Sequence, residues 1–261
     1  MSILDQLAEY AGGRVRRAKA DIPGSEMRER AFALPKGNFA FEKALKKDGI
    51  SFICECKKAS PSKGLISPDF PYKRIAREYE KAGADAISVL TEPKWFLGSD
   101  EYLREIASDV AVPCLRKDFT VDEYMIYEAK VLGASAVLLI CSILSESQMK
   151  EYLSVCDELG LSALVEVHDE AEIRMALDSG ARVVGVNNRN LKDFTVDTDN
   201  SRRLRSMLPP GVVFVSESGV KSAEDVAALR EIGADAVLIG ETLMRAQDKS
   251  AKLRELKGIN P

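Results

Sequence analysis

Ile232-Gly-Ala-Asp-Ala-Val-Leu-Ile239 joins a helical pattern directly to an apolar run of strand length. Its glycine closes a helical pattern and an apolar run follows almost at once, which is typical of a helix that ends at a left-handed glycine before a buried strand. The same form occurs three more times, at Ala82-Gly-Ala-Asp-Ala-Ile-Ser-Val89, Leu132-Gly-Ala-Ser-Ala-Val-Leu-Leu139 and Ser179-Gly-Ala-Arg-Val-Val-Gly-Val186. The repeat therefore predicts a series of helix-to-strand units within one chain.

Apolar runs of strand length continue this pattern along most of the chain. They begin near Ser51, Asp85, Val112, Ser135, Ser162, Arg182, Val212 and Asp235. Pairs that resemble helix-starting capping boxes lie between them: Thr120 with Glu123, Ser145 with Gln148, and Ser222 with Asp225. Eight such units in 261 residues predict an α/β fold made of a single (β/α)8 TIM barrel. A doubly wound open sheet is the alternative, but no Gly-x-Gly-x-x-Gly follows the first run.

Residues 1–50 lie outside this regular plan. An apolar stripe of helical spacing runs from Ile3 through Leu7 to Tyr10, and Phe39–Lys47 is typical of a second short helix. We therefore predict a helical extension over residues 1–50 that acts as a lid or plug. Residues 51–261 form the barrel, and the two parts make one structural domain.

The composition limits the kinds of partner. Apolar residues make up 46% of the chain, enough for a large core, and the net charge of −4 gives no general attraction to nucleic acid or to an anionic membrane. No signal peptide opens the chain, and its apolar runs are too short to span a bilayer. We expect a cytoplasmic protein, a monomer or weak homo-oligomer, whose anionic ligands are held by a local site.

The five cysteines do not indicate a metal site or a disulfide framework. They fall in or beside apolar runs or on a helix face, as buried reduced thiols do. Cys54-x-Cys56 lacks the spacing of a zinc site, and His168 is the one histidine of the chain. We therefore predict no metal site.

Charged and amide side chains stand at the carboxyl ends of several predicted strands, where TIM barrels carry their active sites. Strand alternation places Glu55 and Lys57 on one face. A solvated strand end, or an ion pair between Glu55 and Lys57, explains any one of these residues, but not the whole set. The set consists of Glu55, Lys57, Lys117, Glu166, Asn187, Arg189 and Glu217.

The last two units predict a phosphate site. Glycine turns that lead from a strand towards a helix after strands seven and eight are the usual phosphate cradle of these barrels. Backbone N–H groups near Ser218, Gly219 and Gly240 suit this role, and Ser60 adds a hydroxyl from the first loop. We expect Glu241 to contribute its N–H while its carboxylate points away.

The chain resembles the indole-3-glycerol phosphate synthase family over essentially its whole length. The resemblance is carried by Glu55-x-Lys57-x-x-Ser60-Pro61-Ser62-x-Gly64, Leu115-Arg-Lys-Asp-Phe119, Leu164-Val-Glu-Val-His168, Gly185-Val-Asn-Asn-Arg-Asn-Leu191, Ser216-Glu-Ser-Gly219 and Ile239-Gly-Glu-Thr-Leu-Met244. It implies a carboxy-lyase of tryptophan biosynthesis without a cofactor. Such an enzyme closes 1-(2-carboxyphenylamino)-1-deoxyribulose 5-phosphate to indole-3-glycerol phosphate with loss of CO₂ and water. It also implies that the amino-terminal helices cover the barrel mouth.

The resemblance further implies roles for the rim residues. Lys117 is the general acid at the substrate carbonyl, and Glu166 acts in the acid–base steps of dehydration. Lys57, aimed by Glu55, binds the carboxylate or shares the acid role, and the sequence leaves that choice open. A second nearby cation is expected to lower the pKa of a lysine acid, and either Glu166 or Glu217 to have a raised pKa and serve as base.

The remaining predicted contacts are to the substrate. Asn187 would hold substrate oxygens, and Arg189 would grip the carboxylate with its fork of donors. Apolar walls of the aryl pocket are expected from Phe119, Leu90, Leu139 and Leu191, for which ordinary core packing is an equally good explanation.

Two other functions fit parts of the pattern. Another phosphosugar enzyme of the same fold, such as phosphoribosylanthranilate isomerase, would share the phosphate site but would need no clamp for a departing carboxylate. A non-catalytic barrel that binds a phosphorylated ligand or a partner protein would have no reason to keep so many charges on its rim.

Overall fold

Eight parallel strands close into a barrel in the order in which they occur along the chain. The structure is a computed structural model that describes residues 3–190 and 194–259. The strands are β1 (Ser51–Cys56), β2 (Ala86–Leu90), β3 (Cys114–Lys117), β4 (Ala136–Ile140), β5 (Ser162–Val167), β6 (Val183–Asn187), β7 (Val213–Glu217) and β8 (Ala236–Ile239). The first and last strands pair in parallel, with Ser51 opposite Ala236. The predicted (β/α)8 barrel is confirmed, and each strand begins within two residues of its predicted start.

Helices alternate with the strands around the barrel and also precede the first strand. They are α1 (Ile3–Asp21), α2 (Gly24–Ala33), α3 (Ala40–Leu45), α4 (Tyr72–Lys81), α5 (Asp100–Asp109), α6 (Tyr124–Val131), α7 (Glu146–Leu159), α8 (Glu170–Asp178), α9 (Asp199–Arg205), α10 (Ala223–Glu231), α11 (Glu241–Arg245) and α12 (Lys249–Leu256), with a 3-10 turn at Cys141–Ile143. Within the described ranges, none of these helices is long and apolar enough to cross a membrane.

The repeated glycine marks the end of a helix in all four units that carry it. The φ angles of Gly83, Gly133, Gly180 and Gly233 lie between 75° and 90°. This left-handed conformation costs little for a residue without a Cβ atom, so the chain can turn from helix to strand with only four residues between the two elements.

Two of the three predicted capping boxes are present. Ser145 and Ser222 each accept from the N–H of the third helical residue, whose side chain returns a bond to the cap. The box predicted at Thr120 and Glu123 is wrong, because Thr120 is buried and α6 begins only at Tyr124.

The core has two layers separated by the barrel wall. Along β4, Leu138 and Ile140 belong to the interior cluster, whereas Val137 and Leu139 pack between the sheet and the surrounding helices. This alternation decides which side chains of each strand can reach the mouth of the barrel.

The amino-terminal extension contacts both ends of the barrel. Leu7 of α1 packs in the interior cluster near Phe119, on the side where the strands end. Helix α3 lies at the opposite end, where the N–H of Glu42 donates to Ser162 Oγ over 3.1 Å at the start of β5. Phe41 of α3 is fully buried there. Helix α1 therefore lies on the side where the strands end, and α3 lies at the other end of the barrel.

The loop that follows β1 contains a short regular element. Ala59–Ser60 and Gly64–Leu65 form a small antiparallel hairpin directly after β1. The N–H of Ala59 donates to the carbonyl oxygen of Phe96 over 3.2 Å, so the hairpin is tied to the loop that follows β2.

Candidate active site

A cavity of about 720 Å³ lies at the carboxyl ends of the strands. It brings together nearly all described residues that were predicted for the site. They are Glu55, Lys57, Ser60, Leu90, Lys117, Phe119, Glu166, Asn187, Arg189, Glu217, Ser218, Gly219, Gly240 and Glu241. These residues come from seven of the eight units, so the site exists only when the barrel is closed.

Lys117 occupies the centre of the charged residues. Its Nζ lies 3.0 Å from Glu166 Oε2 and 3.4 Å from Glu217 Oε2. Burial alone would lower the pKa of Lys117, but the negative charges of Glu166 and Glu217 outweigh burial and raise the pKa above that of a free lysine. The expectation that a neighbouring cation would lower this pKa is therefore wrong, because carboxylates dominate the surroundings of Lys117.

The two carboxyl groups beside Lys117 differ in their protonation. Burial raises the pKa of Glu217 to about 7, and repulsion from Glu166 adds to this effect while Lys117 opposes it. Burial also disfavours the charge of Glu166, but Lys117 and His168 outweigh it and hold the pKa of Glu166 well below its usual range. Near neutral pH, Glu166 is therefore a carboxylate, and Glu217 is the one of the two carboxyl groups that can hold a proton.

Glu55 and Lys57 form a further ion pair that lines the cavity. Glu55 Oε1 lies 2.8 Å from Lys57 Nζ, and Ser88 Oγ donates to Glu55 Oε2 over 3.4 Å. A Cβ atom on Gly240 would clash with the Glu55 carboxylate and lie 2.9 Å from Lys57 Nζ. Gly240 is therefore required to make room for this pair, which is a different reason from the predicted approach to phosphate.

Asn187 is fixed by hydrogen bonds on both ends of its amide. Its Nδ2 donates to Glu166 Oε1 over 3.1 Å, and its Oδ1 accepts from Ser218 Oγ over 2.9 Å and from the N–H of Arg189 over 3.0 Å. Arg189 Nη1 donates to the carbonyl oxygen of Phe194 over 3.1 Å. Part of the predicted guanidinium fork is thus already occupied by the protein's own loop.

The predicted phosphate end of the cavity carries basic side chains that sequence reasoning left out. Lys63, Lys221 and Arg245 all line it. The carboxylate of Glu241 accepts from Arg245 Nε over 2.9 Å. Lys63 lies between Ser62 and Gly64, at a position that the quoted motif leaves unspecified, and its place in the loop that carries Ser60 was the available signal.

The apolar walls were only partly predicted. Leu90 and Phe119 line the cavity, whereas Leu139 is completely buried on the outer face of β4 and is not a wall residue. Leu138 and Ile140 take its place, since they point inward from the same strand. Leu191 lies outside the described residues. Further apolar lining that was missed comes from Ile3, Leu4, Leu7, Phe96 and Leu238.

Two groups beside the cavity were also missed. His168 Nε2 lies 3.4 Å from Glu166 Oε1, so the one histidine of the chain is next to the charged cluster. Arg14 of α1 forms a short ion pair with the buried Asp118, the residue after Lys117. Among residues 3–190 and 194–259, no group of three or more His, Cys, Asp or Glu residues is arranged to hold a metal ion.

Comparison with known proteins gives consistent matches over the whole chain. The sequence model of the family described as indole-3-glycerol phosphate synthase matches residues 4–256. A protein of that name from Ruminiclostridium cellulolyticum is 56% identical over 257 residues, which cover 98% of this chain and 99% of the relative. Another, from Endomicrobium trichonymphae, is 54% identical over 256 residues, with the same coverage of both chains.

Solved structures support the fold at much lower identity. A 3-hexulose-6-phosphate synthase superposes with a TM-score of 0.67 at 15% identity, covering 81% of this chain and 100% of that chain. A chain of the tryptophan synthase complex from Pyrococcus furiosus superposes with a TM-score of 0.61 at 15% identity, covering 82% and 99%. At these identities the likeness concerns the barrel alone.

Proposed function

The chain belongs to the indole-3-glycerol phosphate synthase family, and from that premise we propose how its rim residues perform the reaction. The enzyme is a carboxy-lyase of tryptophan biosynthesis that forms indole-3-glycerol phosphate. The observation that carries the assignment of roles is the position of Lys117 between Glu166 and Glu217.

Ring closure needs an acid at the ketone. The aryl carbon that bears the carboxylate attacks the carbonyl carbon, the carbonyl oxygen takes a proton, and CO₂ then leaves as its bonding electrons restore the aromatic ring. We assign the proton to Lys117, whose ammonium form is favoured by the two carboxylates beside it. Glu217 lies 3.4 Å from Lys117 and can return a proton to it, because its pKa of about 7 leaves it partly protonated at neutral pH.

Dehydration needs an acid for the departing hydroxyl and a base for the proton that is lost as the second ring double bond forms. Glu166 is assigned to the base, because its low pKa keeps it ionised throughout the neutral range. Asn187 donates a hydrogen bond to the same carboxylate and so fixes the orientation of the carboxylate group. The hydroxyl leaves as water with a proton from Lys117, which has been recharged by then.

The substrate carboxylate is assigned to Lys57. Its ammonium group lies 2.8 Å from Glu55, which aims it, and Gly240 leaves space beside the pair. A carboxylate that is bound by one lysine while another protonates the ketone is held in place until CO₂ leaves, so the aryl carbon stays aligned for attack.

The substrate phosphate is assigned to the other end of the cavity. Support comes from Ser60 and the Ser218–Gly219 turn, together with the basic side chains of Lys63, Lys221 and Arg245. Ser218 and Gly219 both have positive φ angles, 68° and 97°, which bend this loop sharply after β7. The cytoplasmic location and the monomeric or weakly oligomeric state stay predictions.

Helix α1 is proposed to cover the mouth above the bound substrate. Ile3, Leu4 and Leu7 line the cavity from that side. The helix is fastened by Arg14, whose Nη1 donates to Asp118 Oδ2 over 3.0 Å. An apolar cover that excludes water strengthens the charge interactions of the rim below it.

A direct assay tests the reaction on which these assignments depend. Purified protein should convert 1-(2-carboxyphenylamino)-1-deoxyribulose 5-phosphate in buffer with EDTA, and the indole absorbance of the product should appear with time. Absence of product both with EDTA and with added divalent metals would contradict the proposed function.

A further inference from the structure

His168 lies between two carboxylates at the end of β5. Its Nε2 is 3.4 Å from Glu166 Oε1, and its Nδ1 is 3.0 Å from Glu172 Oε2 on the other side of the ring. The backbone N–H of His168 donates to the same Glu172 oxygen over 2.7 Å. The ring is therefore fixed relative to Glu172, and its Nε2, which has no hydrogen-bond partner among the described residues, lies at ion-pair distance from Glu166.

This arrangement is held by the segments that follow three neighbouring strands. Ser142, in the 3-10 turn after β4, donates to Glu172 Oε1 over 2.5 Å. Asn200 of α9 donates from Nδ2 to the carbonyl oxygen of His168 over 3.1 Å. Glu172 itself lies in the first turn of α8. A side chain fixed from several elements can hold its neighbour in one orientation.

The groups around the imidazole favour its charged form. Glu166 and Glu172 contact it directly, and the nearby Cys141 thiol and Asp169 contribute no positive charge. Lys117 faces Glu166 from the far side. Burial would lower the pKa of His168, but its contacts with Glu166 and Glu172 outweigh burial and raise the pKa to about 10.

We propose that His168 is a positioning residue: as an imidazolium clamped by Glu172, it keeps Glu166 ionised and aimed at the reacting atoms. The catalytic part of this inference rests on the proposed function. In the assigned sequence Lys117 gives up a proton twice, first to the ketone and then to the departing hydroxyl, and each time its positive charge beside Glu166 is lost. The charge of His168 is not used in the reaction, so Glu166 stays a carboxylate at the moment when a base is needed.

The charge of the ring can be measured without any assay of activity. Because the chain has one histidine, its ring carbon and proton signals in an NMR titration need no assignment. In the intact protein the ring should stay charged well above the ordinary value of about 6.5. Glu172→Gln should move the titration midpoint to a pH that is lower by at least about one. Glu170→Gln, on the same helix and paired with the exposed Arg174, is the matched control and should leave the midpoint unchanged.

Kinetics test the consequence for Glu166. In His168→Gln, Glu166 loses a cation, its pKa rises, and the acidic limb of the kcat profile should move to higher pH. We expect kcat at pH 7 to fall about tenfold with KM nearly unchanged, because the base is held less firmly towards the reacting atoms while the substrate contacts are kept. Glu172→Gln should move the limb in the same direction and serves if His168→Gln does not fold.

Each outcome decides a different statement. A ring that titrates near 6.5 in the intact protein, or an acidic limb that does not move in either folded variant, overturns the role of His168. An intact protein that gives no product while its ring is still charged at pH 8 contradicts the proposed function instead, and leaves the imidazolium clamp in place.

Discussion

Glu166 and Glu217 flank the same ammonium group but differ in charge near neutral pH. The difference comes from the groups beyond Lys117. Asn187 and His168 contact Glu166, whereas Glu217 Oε1 has no hydrogen-bond partner among the described residues. Two carboxyl groups with separated pKa values can take separate roles in acid–base chemistry.

Glu217 should make the stability of the protein depend on pH. The pKa of Glu217 in the folded state, about 7, is above its ordinary value. The stabilisation that folding gains by holding this proton is therefore fully present below pH ~4 and is lost as the pH rises through 7. Glu217→Gln does not titrate. Its free energy of unfolding relative to the wild type should therefore rise by on the order of 3 kcal/mol from pH 5 to pH 8. Urea unfolding at both pH values measures this, and a constant difference would contradict the raised pKa.

Lys117→Ala should lower kcat at least ~100-fold, the effect of losing a general acid. Lys57→Ala should act mainly on KM, because the carboxylate loses its ammonium partner while the acid is retained. Steady-state kinetics on both variants separate the two lysines. Lys150→Ala is a control, since that lysine is exposed and pairs only with Glu146 on α7. Near-normal kcat in Lys117→Ala would give the acid role to Lys57.

Gly240→Ala should disturb the pair of Glu55 and Lys57, since its methyl group would occupy their space. We expect kcat/KM to fall about tenfold or more because Lys57 is displaced from the carboxylate. Inhibition by inorganic phosphate should change less than twofold, since Lys63, Lys221 and Arg245 are retained. The control is Gly24→Ala, where a methyl group meets only the end of the Lys19 side chain at 3.9 Å. An equal loss of phosphate affinity would place Gly240 in the phosphate site instead.

At the residue scale, the sequence predicts which strands carry charge but not how the charges meet. Strand alternation correctly paired Glu55 with Lys57, and it also decides that Leu138 faces the cavity while Leu139 faces the helices. The apolar run of β4 alone does not reveal which of its alternating side chains face the interior of the barrel. The contact of His168 with Glu166 depends on the bend after β5, which the sequence does not specify.

At the scale of elements, the contact between α1 and the loop after β3 links the amino-terminal helix to the catalytic cavity. Asp118 is fully buried and accepts from both Arg14 and Thr91. Burial disfavours its charge, but Arg14 outweighs that effect and holds the pKa of Asp118 below its usual range. Asp118 also directly follows Lys117. The position of α1 and the position of the acid are thus linked through two successive residues.

Arg14→Gln should loosen α1 without unfolding the barrel. A buried carboxylate that loses its guanidinium partner is poorly compensated, so we expect amide exchange in α1 to speed up about tenfold or more. KM should rise several-fold as the apolar cover is lost. Mass-spectrometric hydrogen exchange measures the first effect. Arg17→Gln, at an exposed position of the same helix, should change neither the amide exchange of α1 nor KM. Unaltered exchange in Arg14→Gln would remove this ion pair as the anchor.

Helices and strands were predictable where the sequence carries a local signal for the end or the start of a helix. The helix-ending glycines and two of the capping boxes were correctly predicted because each satisfies backbone groups locally. Helix α2 was missed, since its fixed place beside α6 comes from tertiary packing. The box at Thr120 failed for the same kind of reason: Thr120 is buried, and the helix starts at Tyr124.

At the scale of the whole molecule, the two ends of the barrel have different tasks. The carboxyl ends of the strands carry the buried charges, and the amino ends are closed by Phe41 and Leu45 of α3, both fully buried. Charged groups held close together out of water oppose folding. An apolar closure at the other end helps to offset that cost.

Phe41→Ala should therefore separate stability from activity. Removing a fully buried phenyl ring should lower the free energy of unfolding by about 3–5 kcal/mol. Because α3 lies at the end opposite the cavity, kcat and KM should stay within twofold below the unfolding transition. Phe32→Ala, at a side chain that is 40% exposed, should cost less than ~1 kcal/mol. A large change in KM would show that the two ends are coupled.

The overall architecture was the most predictable level, because the same helix-to-strand signal is repeated around a closed sheet. Eight similar units leave few alternatives to a barrel. What the repeat could not predict is the path of the first fifty residues. Their route from the mouth at Leu7 to the far end at Phe41 depends on packing against completed parts of the barrel.

The five cysteines have a consequence for the life of this enzyme under oxidative stress. All are buried, in β1, β3, the 3-10 turn and α7, and none lines the cavity. Burial raises the pKa of every one of these thiols, so the reactive thiolate is scarce. Peroxide oxidises exposed thiolates, and the folded protein presents none of its five cysteines in that form. We therefore expect peroxide at a concentration that oxidises exposed thiolates to leave the activity of this protein unchanged.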